Sequence, residues 1–314
     1  MISLSDIKAA HGRIAPFTRR TPVMTASALR RPLDVKAEIV LKLELFQVTG
    51  SFKARGAMNR YLADRDAIPP AGIVTASGGN HGLAVARTAH AAGARATIFV
   101  PSNVRPEKVD KMRGWNAEVR VVGDEWGVAN DAALAFAAET GAAYFHPFAD
   151  PLVVAGQGTL GLEILDQVSD LDAVIVAIGG GGLIAGLSTA VKSVKPGVRI
   201  VGIEPEGSPT LAACLQAGRK VRLDAVTSRV ATMSCRETDE RIFQIVRRNV
   251  DEILLVSDDE MLQASRWLWA EFAIAADLSG AASIAALRRW PERFKDMGKV
   301  CALVCGAGSD GIGS

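Results

Sequence analysis

The chain has 314 residues, 49% of them hydrophobic, and a formal net charge of +2 at pH 7. That is enough to bury a substantial core, as one large α/β domain or two smaller ones. The balanced charge leaves no electrostatic footprint for nucleic acid or an anionic membrane. Cys214, Cys235, Cys301 and Cys305 lack metal-finger spacing in a chain too long to depend on disulfides, so they read as reduced thiols of a cytoplasmic protein.

The N-terminal stretch meets a charge at Asp6 and has no apolar h-region, so it is not a secretory signal. Short β-branched runs then alternate with Ala-rich amphipathic stretches. A strand is expected at Ile39–Leu43, a helix beginning near Lys53, a strand at Gly72–Thr75 and a helix at Gly82–Ala92. Strands at Ala96–Val100 and Glu118–Val122 precede a helix at Val128–Thr140. A turn at Gly156–Gly158 leads to a helix at Leu160–Gln167, followed by strands at Ala173–Ile178 and Arg199–Ile203. A helix at Glu260–Phe272 and a strand at Val300–Cys305 complete the pattern. Such βαβ alternation argues for an α/β fold with parallel sheets covered by helices on both faces.

The uncharged run Ala173–Val191 approaches the length of a membrane span, but Gly179–Gly182 lie at its centre. Each glycine would cost a helix about 1 kcal/mol relative to Ala, so strand, glycine turn and buried helix is the better reading. The strand sets on either side of residue 147 are expected to form two sheets with a cleft between them.

Four segments carry chemistry. In Leu41–Ala57, Lys53 follows Thr49-Gly50-Ser51-Phe52 at the start of a helix. The positive field there and burial both disfavour the charged amine, as a Schiff-base lysine requires. Read alone, the segment also fits an ordinary surface lysine. In Thr75–Gly82, free backbone N–H groups and the side chains of Ser77, Asn80 and His81 can converge on a carboxylate, or simply form a capped turn.

Gly179, Gly180, Gly181 and Gly182, followed by Leu183, form a glycine loop that feeds a helix N-terminus and suits a single phosphate monoester. The loop lacks both the Walker Gly-Lys-Ser/Thr and the dinucleotide spacing. In Val304–Asp310, Cys305 can aim a thiol at a bound ring or serve as a small buried hydrophobe.

Together with Thr18–Val23, His146–Phe148 and Ala155–Thr159, these segments resemble the fold-type II pyridoxal-phosphate enzymes, specifically the threonine/serine dehydratase and serine racemase family. The resemblance covers nearly the whole chain. It implies a larger domain from residues 1–71 and 147–314 and a small mobile domain at 72–146. It implies that Lys53 carries pyridoxal 5'-phosphate as a Schiff base and then serves as acid and base at the substrate Cα. Phe52 would pack on the ring, Asn80 would bond its 3'-oxygen, Gly179–Gly182 and Leu183 would hold its phosphate, and Cys305 would stand beside the ring nitrogen. Ser77, Asn80 and His81 would bind the substrate carboxylate. The implied activity is β-elimination on a small β-hydroxy amino acid, giving a 2-oxo acid and ammonia, by a homodimer. The lack of a further domain after the Cys305 segment resembles the catabolic dehydratases.

The match also has departures. Family racemases place a serine where this chain has Gly78, which favours dehydration over racemisation. The family's cation site pairs a Glu with a nearby Asp; Glu204 is present, but Thr210 takes the Asp position, so divalent or monovalent cation binding is an open expectation. Val226–Ser234 lacks the usual Ala-Asp-Gly, and Asp277-Leu278-Ser279-Gly280 replaces Glu-Pro-Ser-Gly. Both segments are expected near the cofactor.

Overall fold

The computed structural model describes residues 1–312. In chain order it contains α1 (Leu4–Ile14), β1 (Val23–Thr25), β2 (Glu38–Lys42), α2 (Lys53–Ala63), β3 (Ile73–Ala76), α3 (Asn80–Ala92) and β4 (Ala96–Val100). Next come α4 (Pro106–Arg113), β5 (Glu118–Val121), α5 (Trp126–Thr140), β6 (Ala143–Tyr144), α6 (Pro151–Gln167), β7 (Ala173–Ala177) and α7 (Gly182–Val194). The remainder is β8 (Arg199–Pro205), α8 (Thr210–Ala217), α9 (Glu240–Asn249), β9 (Glu252–Val256), α10 (Asp258–Phe272), α11 (Leu278–Arg289) and β10 (Lys299–Leu303).

The strands form two sheets. One has six strands in the order β1-β2-β10-β7-β8-β9, the other four in the order β5-β4-β3-β6. Every pairing is parallel except that of β1 with β2, where Val23 faces Lys42. The central strands have no polar face: all five residues of β7 are buried, as expected of a parallel strand covered by helices on both sides. In the smaller sheet, alternate residues serve opposite faces. Ile73 and Ile98 join one apolar cluster, Val74 and Phe99 another.

The strands foreseen from the sequence are present within a residue or two, and the segment Ala173–Val194 is indeed strand, glycine turn and helix. No helix among the described residues is long and apolar enough to cross a membrane. The turn expected at Gly156–Gly158 is a correction, since these residues lie inside α6. Asp150 caps that helix and Pro151 begins it, so it starts nine residues before Leu160. The glycines serve packing: a Cβ on Gly156 would lie 2.7 Å from the Arg55 carbonyl oxygen and from Gly56 Cα of α2. The short strands β1 and β6 were not foreseen, and neither were β9 and α11.

A buried ionic network sits where α2 meets α6. Arg55 Nε lies 2.6 Å from Glu44 Oε1, its second guanidinium nitrogen is 2.9 Å from Glu163 Oε2, and Lys42 Nζ is 2.5 Å from Glu163 Oε1. Burial alone would expel these charges; each persists because the opposite charge is in direct contact. The network fixes Arg55, two residues along α2 from Lys53, to β2 and α6.

Candidate active site

The site forms where loops leave the C-terminal ends of parallel strands, the usual crevice of such sheets. The loop after β3 supplies Ser77–Asn80, the loop after β7 supplies Gly179–Gly182, and β10 runs on into Cys305. Two isolated bridges, Ser51 with Gly306 and Ala276 with Ala307, bring the Lys53 loop and the start of α11 to the same place.

Lys53 is the first residue of α2. Its Nζ donates to the Pro147 carbonyl at 2.7 Å and lies 5.1 Å from the centre of the Phe52 ring. Burial brings its pKa down to about 8, although the thiols of Cys305 and Cys235 pull the other way. Two histidines stay neutral around it. Burial and the charge of Lys53 lower His81 to about 3 and His146 to about 4. The surroundings thus disfavour positive charge, and the lysine can act as a free amine near neutrality.

Gly179–Gly182 admit no side chain. A Cβ on Gly179 would lie 2.7 Å from the Thr232 carbonyl oxygen, one on Gly180 2.3 Å from the Phe148 ring, and one on Gly182 2.6 Å from the Phe148 carbonyl oxygen. Gly181 has φ +90°, which L side chains rarely adopt. Thr238 Oγ1 donates to the Gly180 carbonyl at 3.0 Å, and Leu183 is buried in the first turn of α7. The glycines let this loop pack closely on Thr232 and Phe148 and lead straight into the N-terminus of α7, where free backbone N–H groups can receive a phosphate.

Asn80 and His81 open α3. Their backbone N–H groups, with that of Gly82, have no partner in the preceding turn and are available to an anion. The Ser77 hydroxyl accepts from Gly79 N at 3.3 Å, which shapes the loop. The His81 ring pairs through Nε2 with the Phe145 carbonyl at 3.1 Å, while its buried Nδ1 has no partner. The Ser51 hydroxyl is likewise buried and unpartnered. Orphan polar atoms of this kind are uncommon in folded proteins, and a ligand can complete their bonding.

Cys305 is buried, and burial reinforced by the charge of Asp277 pushes its thiol well above the usual range, so it remains protonated. Lysine amine, glycine cradle and neutral thiol together fit pyridoxal phosphate.

A cation on Glu204 does not fit. The two oxygens of that carboxylate accept from Leu211 N at 2.8 Å and Ala212 N at 2.9 Å, and the Thr210 hydroxyl donates to the Cys235 carbonyl. Glu204 caps α8 from within the sheet, and burial raises its pKa to about 7.

Residues outside the original set also belong here. Asp277 takes a hydrogen bond from Asn80 Nδ2 at 3.2 Å. Phe148 backs the glycine loop, and Thr232 stands between Gly179 and Gly79. The unusual sequence around Thr232 and Asp277 was the only signal that pointed to either.

Residues 14–306 match the family described as "Pyridoxal-phosphate dependent enzyme". The L-threonine ammonia-lyase of Thermotoga maritima is 36% identical over 309 residues, which are 98% of this chain and 76% of that protein. Among solved structures, the threonine deaminase of T.th. is 38% identical with a TM-score of 0.89, and 98% of each chain is covered. Maize serine racemase is 30% identical with a TM-score of 0.91, covering 98% of this chain and 93% of that one.

Proposed function

The chain belongs to the family of pyridoxal-phosphate dependent enzymes, and on that premise we propose that it is an ammonia-lyase of the threonine/serine dehydratase type. The substrate is a small L-β-hydroxy amino acid, and the products are a 2-oxo acid and ammonia. The observation that carries this reading is the deprotonatable amine of Lys53 on the Pro147 carbonyl, next to Phe148, which packs on the glycine loop, while Thr232 links that loop to Gly79.

Pyridoxal phosphate, when bound, supplies the electron withdrawal that acidifies the substrate Cα–H. Lys53 would hold the cofactor, and its free amine would take and return the proton at Cα. Gly179–Gly182 and Leu183 hold the phosphate. Asn80 would bond the ring oxygen, and Phe52 would pack beside the ring. The first-turn N–H groups of α3, with Ser77 and His81, receive the substrate carboxylate. Cys305, held as a thiol, would meet the ring nitrogen without an anionic charge, and would leave the ring a milder electron sink than a carboxylate would. That suits loss of a β-hydroxyl, which drains negative charge from Cα directly.

Residues 72–146, which carry the four-stranded sheet, act as a small domain that closes over the substrate and excludes water. The assembly is a homodimer in the cytoplasm.

Incubation with L-threonine, L-serine and related β-hydroxy amino acids, with 2-oxo acid assayed, tests this reading. Release of 2-oxo acid supports it; conversion of L- to D-amino acid without 2-oxo acid would replace it with racemisation.

A further inference from the structure

We infer that Asp277 is a positioning residue that fixes Asn80 as a hydrogen-bond donor toward the cofactor pocket and ties α3 to α11 across the cleft. The inference rests on the proposed cofactor reading.

Asp277 caps α11, but a cap needs one oxygen only. Its Oδ1 fills that role, accepting from Gly280 N at 2.6 Å and Ser279 Oγ at 2.7 Å. Oδ2 is surplus to the cap and reaches Asn80 Nδ2, 197 residues away in sequence. Three glycines make the space that its side chain occupies. A Cβ on Gly306 would lie 2.7 Å from Oδ2, one on Gly280 3.2 Å from Oδ1, and one on Gly308 2.6 Å from Asp277 Cβ. Asp277 N also donates to the Gly306 carbonyl at 3.1 Å, which anchors the residue beside Cys305.

Burial raises the pKa of Asp277, while the bonds donated by Ser279, Gly280 and Asn80 favour its ionised form. As a carboxylate it only accepts hydrogen bonds, so it faces the NH₂ end of the Asn80 amide. This selects one of the two amide orientations and leaves the second N–H for the pocket. Asn80 therefore meets an anionic ring oxygen as a donor. With a neutral or shorter residue at 277, the amide could turn its carbonyl inward and repel that oxygen.

The test uses the holoenzyme and three variants. Asp277→Ser keeps an N-capping oxygen but is too short to reach Asn80; Asp277→Asn keeps cap and volume while presenting a donor to Asn80; Asn80→Ala removes the amide. Pyridoxal phosphate affinity and the bound cofactor's visible absorption band are read, with thermal midpoints alongside. We expect Asp277→Ser and Asp277→Asn to weaken affinity by about tenfold and shift the band, with the serine variant's midpoint little changed. In an Asn80→Ala background, Asp277→Ser should add nothing further to either readout. An unshifted band with unchanged affinity in both variants overturns the inference. So does an equal effect with and without Asn80. Wild-type protein that takes up no cofactor would instead overturn the cofactor reading on which the inference stands.

Discussion

Val104 fills the space that a side chain at Gly78 would need: a Cβ built there lies 2.1 Å from Val104 Cγ2 and 3.2 Å from Val104 Cβ. Val104 is β-branched and held by its own N–H to the Pro101 carbonyl, so it yields little. Gly78→Ser alone should therefore lower elimination without producing D-amino acid. Gly78→Ser with Val104→Ala should produce it, because the hydroxyl then has room at the position where family racemases carry a serine. Chiral chromatography of the products checks both outcomes.

Lys53→Ala should abolish the cofactor's visible absorbance and lower 2-oxo acid formation by at least about a thousandfold. In the wild-type apoprotein, capture of pyridoxal phosphate requires the neutral amine. Its rate should rise with pH and level off above about 8, well below the 10.5 of an ordinary lysine. Stopped-flow absorbance across pH 6 to 10, at roughly unit steps, reads this directly.

Gly182→Ala places a methyl against the Phe148 backbone, which cannot swing aside as a side chain would. Pyridoxal phosphate affinity should fall by at least about tenfold. Gly197→Ala, where nothing lies within 4 Å of the new Cβ, is the control and should bind as wild type.

Glu204 gives a pH signature. Its folded pKa of about 7 lies above the unfolded value of 4.5, so folding favours the protonated acid. Its contribution to stability is fully present below pH 4.5 and is lost as pH rises through 7. Relative to Glu204→Gln, the wild type should lose up to about 3 kcal/mol across that window. Urea unfolding at a series of pH values measures the difference.

Glu163→Gln removes the anion shared by Lys42 and Arg55, which are both almost fully buried. Arg55 keeps its pair with Glu44, but Lys42 is left buried without a carboxylate, which should destabilise the fold by about 3–5 kcal/mol. Chemical denaturation gives the value. Activity of the surviving folded protein should also fall, because Arg55 holds the helix that begins at Lys53.

Much of the site was legible because its residues cannot be replaced without losing their chemistry. Four adjacent glycines have few explanations other than backbone that must approach something closely, and their collisions with Phe148 and Thr232 bear this out. The place of Lys53 at a helix start was legible too. The relation of Asn80 to Asp277 was not, since a hydrogen bond between residues 197 apart leaves no periodic trace. The ionic network was hidden likewise, because Lys42, Glu44, Arg55 and Glu163 read one by one as surface charges. The glycines of α6 misled because a glycine that permits helix contact looks, in sequence, like one that permits a turn.

The order of the larger sheet sets a timetable for synthesis. β2 and β7 do not touch; each pairs with β10, the last of the described strands. Until β10 leaves the ribosome, β2 and β7 each present a row of backbone N–H and C=O groups with no neighbour. The smaller sheet, complete by Tyr144, can assemble long before. The nascent chain therefore carries one finished half and one open, adhesive half, and the strand that closes the second also delivers Cys305 to the pocket.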